Sequence, residues 1–242
     1  MTMEIQLPQG KLQWSRTGGP LLVVVAGGRR PDPQWLRRAA EGLPVAVADR
    51  GADHCRAAGV VPGFLYGDRD SAAPGAWEEF ARKGARVKTY PVNKDDTDLS
   101  LVLQDIPGNR TVLATGIWGG RADHLFGNLY TLLAYARRGG SAFMADDQEV
   151  LCYLLPGEGL RFTSGKKRPR AVSLLPLTPS CRVSITGVRW PLDNAELTQA
   201  NPYAVSNKMT EPALNAFCRE GVAGVYFTWK EEIPCWNSIG RT

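Results

Sequence analysis

Two aspartates separated by one residue, Asp68 and Asp70, follow the apolar run "FLYG". Side chains on an extended chain alternate, so both carboxylates point one way and Arg69 the other. Like charges so placed resist joint ionisation unless a cation lies between them, and the spacing predicts a metal site. The same residues would also serve as turn and helix-cap groups, where Asp is favoured. Comparable clusters recur along the chain: "ADRGAD" (48–53) with Asp49 and Asp53, "PVNKDDTD" (91–98) with Lys94, Thr97 and Asp98, and "GIWGGRADH" (116–124) with Gly119, Gly120, Arg121 and Asp123. Singly, each has a plain reading. Asp49 and Asp53 would cap the next helix, Asp98 would favour a helix dipole, and Gly119-Gly120 would make a turn. Together they predict a mouth lined with carboxylates, with glycines for close backbone approach and Lys94 and Arg121 as cations. Carboxylates holding Mg²⁺ and cations clamping phosphate oxygens are what phosphoryl or diphosphoryl transfer requires.

The elements that must position these clusters are legible as apolar runs. Residues 21–28, 44–49, 63–68, 85–90, 111–116 and 141–146 read as strands. Their Val, Leu and Ala come without alternation, which suits strands covered on both faces of a parallel sheet. Helical stripes lie between them. Leu99, Val102, Leu103 and Ile106 form one, with Asp96 or Thr97 placed to cap it. Leu125, Leu129, Leu132, Leu133 and Ala136 form a longer one, closed by Gly139-Gly140, and Trp77, Phe80 and Ala81 a shorter one. This alternation predicts an α/β layer architecture with right-handed crossovers. The polar clusters then fall at the carboxyl ends of the strands, where open parallel sheets bind ligands. Past about residue 147 the pattern changes to "VLCYLL", "LRFTS", "AVSLLPL", "CRVSITGV" and "GVAGVYFTW", separated by Pro, Gly, Ser and Asn. The expected division is therefore an α/β domain over residues 1–147, with a mostly parallel sheet flanked by helices, and a small all-β sandwich or barrel over 148–242.

Composition narrows the function classes. The 242 residues are 43% hydrophobic and 22% charged, ordinary for a soluble globular protein. The apolar stretch 21–26 is too short for a membrane span or a signal core. Five scattered cysteines argue against a disulfide framework or a zinc site and suit a reducing cytoplasm. Two histidines leave little material for His-based metal sites or triads. The net charge of +5 is spread mostly as Arg pairs, so neither nucleic acid nor membrane is expected as a partner. Only "RFTSGKKRPR" (161–170) concentrates basic residues, as a solvated hairpin tip or a phosphate-contacting loop. Neither a P-loop motif nor the Gly-x-Gly-x-x-Gly of a dinucleotide binder is present.

With these residues laid out, the chain resembles the thiamine pyrophosphokinase family over roughly residues 22–227. The matching segments are "ADRGAD", "GDRDS", "TDLSLVL", "GIWGGRADH", "TGVRWPLDNAEL" and "VSNKMT", in the family's order. The resemblance implies an α/β domain joined to a C-terminal β-sandwich, and an enzyme that transfers a diphosphate from ATP to the hydroxyl of thiamine with Mg²⁺, releasing AMP. It places Asp68, Asp70 and Asp98 as the metal- and phosphate-proximal, catalytic carboxylates, with Asp49 nearby. Nucleotide-proximal positions fall on Thr97, Gly119, Gly120, Arg121 and Asp123, beside the Lys94 read above as a cation. Trp190, Ser206 and Asn207 fall on a thiamine pocket shared across a homodimer. Trp190 has a physical case of its own, since an indole face suits a cationic thiazolium; the alternative is a core tryptophan of the sandwich. Arg69 and Arg50 depart from the family, which usually has an apolar or aromatic residue at the first position and glycine at the second. Two rival functions keep the same residues. One is a metal-dependent phosphohydrolase with Asp68 as nucleophile, since a strand-end Asp-x-Asp also resembles haloacid-dehalogenase-like phosphatases. The other is a non-catalytic thiamine or nucleotide sensor.

Overall fold

The computed structural model describes residues 2–16, 18–68, 72–90 and 96–230. Of the residues singled out above, Arg69, Asp70 and Lys94 lie outside these. Two short strands, β1 (Met3–Leu7) and β2 (Gly10–Trp14), precede the first strand expected from the sequence. Then β3 (Leu21–Val25), α1 (Pro33–Ala39), β4 (Val45–Ala48), α2 (Gly51–Ala58), β5 (Phe64–Gly67), α3 (Ala76–Arg82), β6 (Arg86–Thr89), α4 (Asp98–Asp105), β7 (Thr111–Thr115), α5 (Ala122–Arg137) and β8 (Ser141–Ala145) alternate. The six strands β3 to β8 pair in parallel in the order β8-β7-β3-β4-β5-β6.

Their apolar character follows from burial on two sides. Leu22, Val24 and Ala26 pack with Leu99, Val102 and Leu132 of α4 and α5, whereas Val23 and Val25 pack with Trp35, Leu36 and Phe80 of α1 and α3. Each such buried Val or Leu contributes roughly 1.5–3 kcal/mol. Helix α4 begins where the sequence supplies a cap: Thr97 Oγ1 accepts the Ser100 N–H at 3.2 Å. Thr97, rather than Asp96, is thus the N-cap.

Downstream come β9 (Glu149–Leu154), β10 (Glu158–Ser164), β11 (Ala171–Pro176), β12 (Ser180–Thr186), β13 (Leu192–Thr198), β14 (Ala213–Glu220) and β15 (Ala223–Thr228). They do not form a sheet pair of their own. β9 pairs antiparallel with β8, and β15 and β11 follow it, so the large sheet reaches nine strands. The other four join β1 and β2 in a six-stranded antiparallel sheet, β1-β2-β10-β14-β12-β13. Its inner residues, including Trp14, Phe162 and Leu214, share one core with Cys152, Val225 and Phe227 of the large sheet. The all-β part is a sandwich, and one of its layers is the extension of the α/β sheet. Residues 161–170 are not a hairpin tip, because they carry the chain from β10 in one sheet to β11 in the other. Among the described residues, no helix is long and apolar enough to cross a membrane.

Candidate active site

β3 has β4 on one side and β7 on the other, so the chain leaves it in one direction and returns in the opposite one. At such a reversal the loops beyond the strand ends diverge and leave a crevice. A cleft of about 470 Å³ opens there. Its walls are Gly27 and Gly28 after β3, Asp49 and Arg50 after β4, Thr97 and Asp98 at the start of α4, and Gly116, Gly119, Gly120 and Arg121 after β7. Six of the expected nucleotide and metal positions (Asp49, Thr97, Asp98, Gly119, Gly120 and Arg121) are thereby brought together. His124 and Asn128 also line the cleft, without having been expected to do so. They are four apart on α5 and so share one helix face. That spacing, directly after the glycine-rich motif, is the signal that would have found them.

The two glycine segments meet backbone to backbone. Gly28 N–H donates to Gly116 O at 2.6 Å, and Arg29 N–H to Trp118 O at 2.5 Å. A Cβ at Gly28 would stand 2.6 Å from the Gly116 carbonyl oxygen, so only glycine allows this approach. The Arg29 side chain then turns inward and anchors the segment. Nε and Nη2 donate to Asp146 Oδ2 at 3.0 and 2.5 Å, and Nη2 also reaches Glu149 Oε2 at 2.5 Å. Glu149 accepts the Tyr226 hydroxyl at 2.5 Å on its other oxygen. Asp146 is wholly buried, and burial pushes its carboxyl up against the opposing pull of Arg29 and the Gln148 and Glu149 amides.

The carboxylates are tied together across the strand ends. Asp49 has a left-handed backbone (φ 42°), which Asp tolerates better than most residues. Its Oδ1 accepts the Asp68 N–H at 3.1 Å instead of capping α2, whose N-cap is Arg50 without a side-chain cap bond. The Asp49 carboxylate fills the space above Gly67, where a Cβ would come within 1.5 Å of Oδ1. Asp53 does not cap α2 either, because it accepts the Ala73 N–H at 3.1 Å and holds the segment leading to α3. Asp98 lies in the first turn of α4, at the positive end of the helix dipole. At the rim, Arg121 is paired with Asp123 at 2.5 Å, and that bond holds the exposed Asp123 carboxyl below its ordinary value. Gly119 and Gly120, with φ of 72° and 71°, form the turn that brings Arg121 to the rim.

Trp190, Ser206 and Asn207 form a second cluster, in the all-β part, and none of the three lines the cleft. Asn207 brackets Trp190, accepting its N–H at 3.1 Å and donating to its carbonyl at 2.7 Å. Asn207 is itself bridged to Val172 of β11, and the Ser206 N–H donates to Ser173 Oγ at 3.1 Å. Trp190 is 53% exposed and so is not a core tryptophan. The Arg189 guanidinium lies 4.9 Å from its ring centre, so the indole already accepts a cation.

The cleft offers hard oxygen donors, Asp49, Asp98 and the Thr97 hydroxyl, and among the described residues no thiol lines it. Among the described residues, no three His, Cys, Asp or Glu side chains form a ready-made cage. That is the donor set a Mg²⁺–nucleotide fits, because Mg²⁺ takes one or two carboxylates and completes its shell with phosphates and water.

Two family models match the chain. The thiamin pyrophosphokinase catalytic domain matches residues 41–144, and the thiamin pyrophosphokinase vitamin B1 binding domain residues 160–215. A thiamine pyrophosphokinase of Bacillus subtilis is 27% identical over 66% of this chain and 76% of that protein. Thiamine pyrophosphokinase 1 of Oryza sativa subsp. japonica is 28% identical over 83% of this chain and 75% of that one. The crystal structure of the thiamine pyrophosphokinase from Bacillus subtilis superposes with a TM-score of 0.75, at 24% identity, over 87% of this chain and all of that one, which shows a common fold.

Proposed function

Because the chain belongs to the thiamine pyrophosphokinase family, we infer that it transfers a diphosphate from ATP to the hydroxyl of thiamine and releases AMP. The observation that carries this reading is the cleft at the sheet's reversal point, with phosphate-sized backbone approach on one wall and carboxylates on the other. Gly27, Gly28, Gly119 and Gly120 let the polyphosphate lie against the main chain. Arg121 clamps phosphate oxygens at the rim, exchanging its bond to Asp123 for one to the nucleotide, and Lys94 adds a second cation. Asp68, Asp70 and Asp98 hold Mg²⁺, with Asp49 fixing the β5 end through the Asp68 amide. When bound, the metal neutralises developing charge on the phosphate oxygens. The remaining work is positioning of the thiamine hydroxyl in line with the β-phosphorus. A cytoplasmic setting fits the free thiols Cys55, Cys152, Cys181 and Cys218. Incubation with ATP, Mg²⁺ and thiamine is expected to yield AMP and thiamine diphosphate in equal amounts. Thiamine-dependent ADP would overturn diphosphoryl transfer, phosphate without acceptor would indicate a phosphohydrolase, and tight binding without turnover a sensor.

The labour is divided between residues 1–147, which handle ATP and metal, and 148–242, which supply the thiamine pocket and the dimer contact. Trp190, Tyr203 and Val205 are large, apolar and exposed beside Ser206 and Asn207, which supports a pocket completed by a second chain. A two-fold dimer would then carry two composite sites. Trp190→Ala is expected to raise KM for thiamine by roughly 2- to 30-fold, the range of about 0.5–2 kcal/mol for a cation on an aromatic face. Co-refolded one to one with Asp98→Asn, it should recover about a quarter of wild-type activity at low thiamine, because mixed dimers contain one intact site. Activity equal to the mean of the two variants would show that the chains do not share sites.

A further inference from the structure

His54 is one of two histidines in the chain and is buried beneath the cleft, where only 3% of it is exposed. Its Nε2 lies 3.0 Å from the carbonyl oxygen of Gly28. A carbonyl only accepts, so Nε2 carries the hydrogen and Nδ1 the lone pair. Nδ1 is buried with no hydrogen-bond partner among the described residues. The ring edge also reaches the opposite wall, since a Cβ at Gly116 would stand 3.3 Å from His54 Cδ2. One imidazole therefore underlies both glycine segments that line the cleft.

We propose that His54 is a positioning residue for the nucleotide: its Nε2–H holds the Gly28 carbonyl, fixes residues 27–29 in the form that receives the polyphosphate, and loosens that hold when the ring takes a second proton. A proton on Nδ1 would be a buried donor with no acceptor, and its charge would have to be relieved by movement of the ring or the loop. The surrounding charges sharpen the effect. Arg30, on the segment after β3, and Arg50, at the start of α2, both oppose a charged ring, whereas the Gly28 carbonyl and Asp53 favour one. Burial is the larger influence and keeps the imidazole below its ordinary value, hence neutral at pH 7. Because Gly28 is bonded in turn to Gly116, displacement of one carbonyl shifts both walls. The consequence is an acid limb in ATP affinity that belongs to the protein and not to the nucleotide.

The proposal rests on ATP being the ligand of this cleft, and the test separates the two. Equilibrium binding of Mg²⁺-ATP and the KM and kcat for AMP formation are measured from about pH 4.5 to 8, a window extended below the ordinary imidazole range because burial lowers this ring's transition. Wild type is compared with His54→Gln, which keeps a donor for the Gly28 carbonyl but does not titrate, and with His54→Phe, which has the ring and no donor. Wild-type affinity is expected to fall relative to His54→Gln by about tenfold per pH unit below the ring's transition, with kcat much less affected. His54→Phe should bind ATP more weakly at every pH. Ring ¹⁵N spectra of the wild type, assigned by the loss of one of two histidines in His54→Gln, should show a neutral Nε2–H tautomer at pH 7. An Nδ1–H tautomer, an unchanged acid limb in His54→Gln, or wild-type affinity in His54→Phe would each overturn the proposal. Should His54→Phe fail to fold, the tautomer and the His54→Gln profile decide. ATP binding that depends on His54 without AMP formation would sink the diphosphotransfer reading alone. Normal AMP formation without dependence on His54 would sink this inference alone, and no ATP binding at all would sink both.

Discussion

Asp98→Asn is expected to lower kcat for AMP formation by about 100- to 1000-fold while leaving the protein folded. Asp98 lines the cleft from the first turn of α4, beside the Thr97 cap. A carboxylate in that position has two separable uses. The helix dipole favours a negative charge there by about 0.3–1 kcal/mol, which Asn would forfeit as stability. Charge compensation of the transferring diphosphate is worth more, because deleting one preorganised electrostatic group from such a site costs about 2.7–4 kcal/mol of transition-state stabilisation. The two uses are read on different instruments: single-turnover kinetics for the second, thermal unfolding for the first. Near-normal turnover together with a clear fall in Tm would reduce Asp98 to a dipole partner. Thr97→Ala should show a different balance, since losing the cap costs about 1 kcal/mol of stability.

The largest expected loss of stability lies away from the chemistry. Arg29→Met should destabilise the fold by roughly 3–5 kcal/mol in urea titrations, because it strands a buried carboxylate. Asp146 is fully buried and Glu149 partly so, and both take hydrogen bonds from the Arg29 guanidinium. Burial already pushes the Asp146 carboxyl up, and without Arg29 it moves further in that direction. A carboxyl whose folded pKa exceeds its unfolded value takes up a proton on folding. Its contribution is therefore retained below the ordinary carboxylate range and lost as pH rises through the folded value. The deficit of Arg29→Met should accordingly be greatest at pH 7 and narrow toward pH 5. Adding Asp146→Asn should restore part of the loss, since replacing both partners removes the stranded charge. A single variant as stable as wild type at pH 7 would mean that the pair contributes nothing net.

Much of this arrangement was legible beforehand. The six parallel strands were found close to their true ends because burial on both faces leaves unbroken apolar runs. α4 was found because Leu99, Val102 and Leu103 recur at helical spacing above a cap. Four strands escaped for identifiable reasons. β1 and β2 are five residues each, with Glu4, Gln6, Lys11 and Gln13 between the buried positions. β13 buries only Leu197, so it has no periodicity to read. β14 does alternate, but its inward residues include the small Ala216 and Cys218 while Phe217 faces outward. Strand partners were beyond reach, because nothing in "VLCYLL" or "GVAGVYFTW" says which sheet it will join. In the cleft, residue type and strand-end position were enough to pick out Asp49, Asp98 and Arg121. The bond from Asp49 to the Asp68 amide, the His54 hold on Gly28 and the Arg29–Asp146 anchor were not, since each depends on contacts between segments 19 to 117 residues apart.

The pairing of β2 with β10 has a consequence for how the chain is made. Leu12 lies opposite Phe162 in that ladder, so the hairpin of β1 and β2 finds its only strand neighbour among the described residues about 150 positions later. A ribosome adding roughly 5–20 residues per second needs about 8–30 s to deliver it. During that interval Ile5, Leu7, Leu12 and Trp14, all buried in the finished fold, lack the β10 and β14 side of their core and can meet only earlier elements, such as α1, where the Trp35 indole N–H donates to Gln9. A two-stranded hairpin is marginal in water, so this segment reaches its full stability only when β10 pairs with β2. The hairpin precedes every other described element yet is completed among the last, and the nascent chain should show its greatest affinity for hydrophobic-binding chaperones until β10 and β14 emerge.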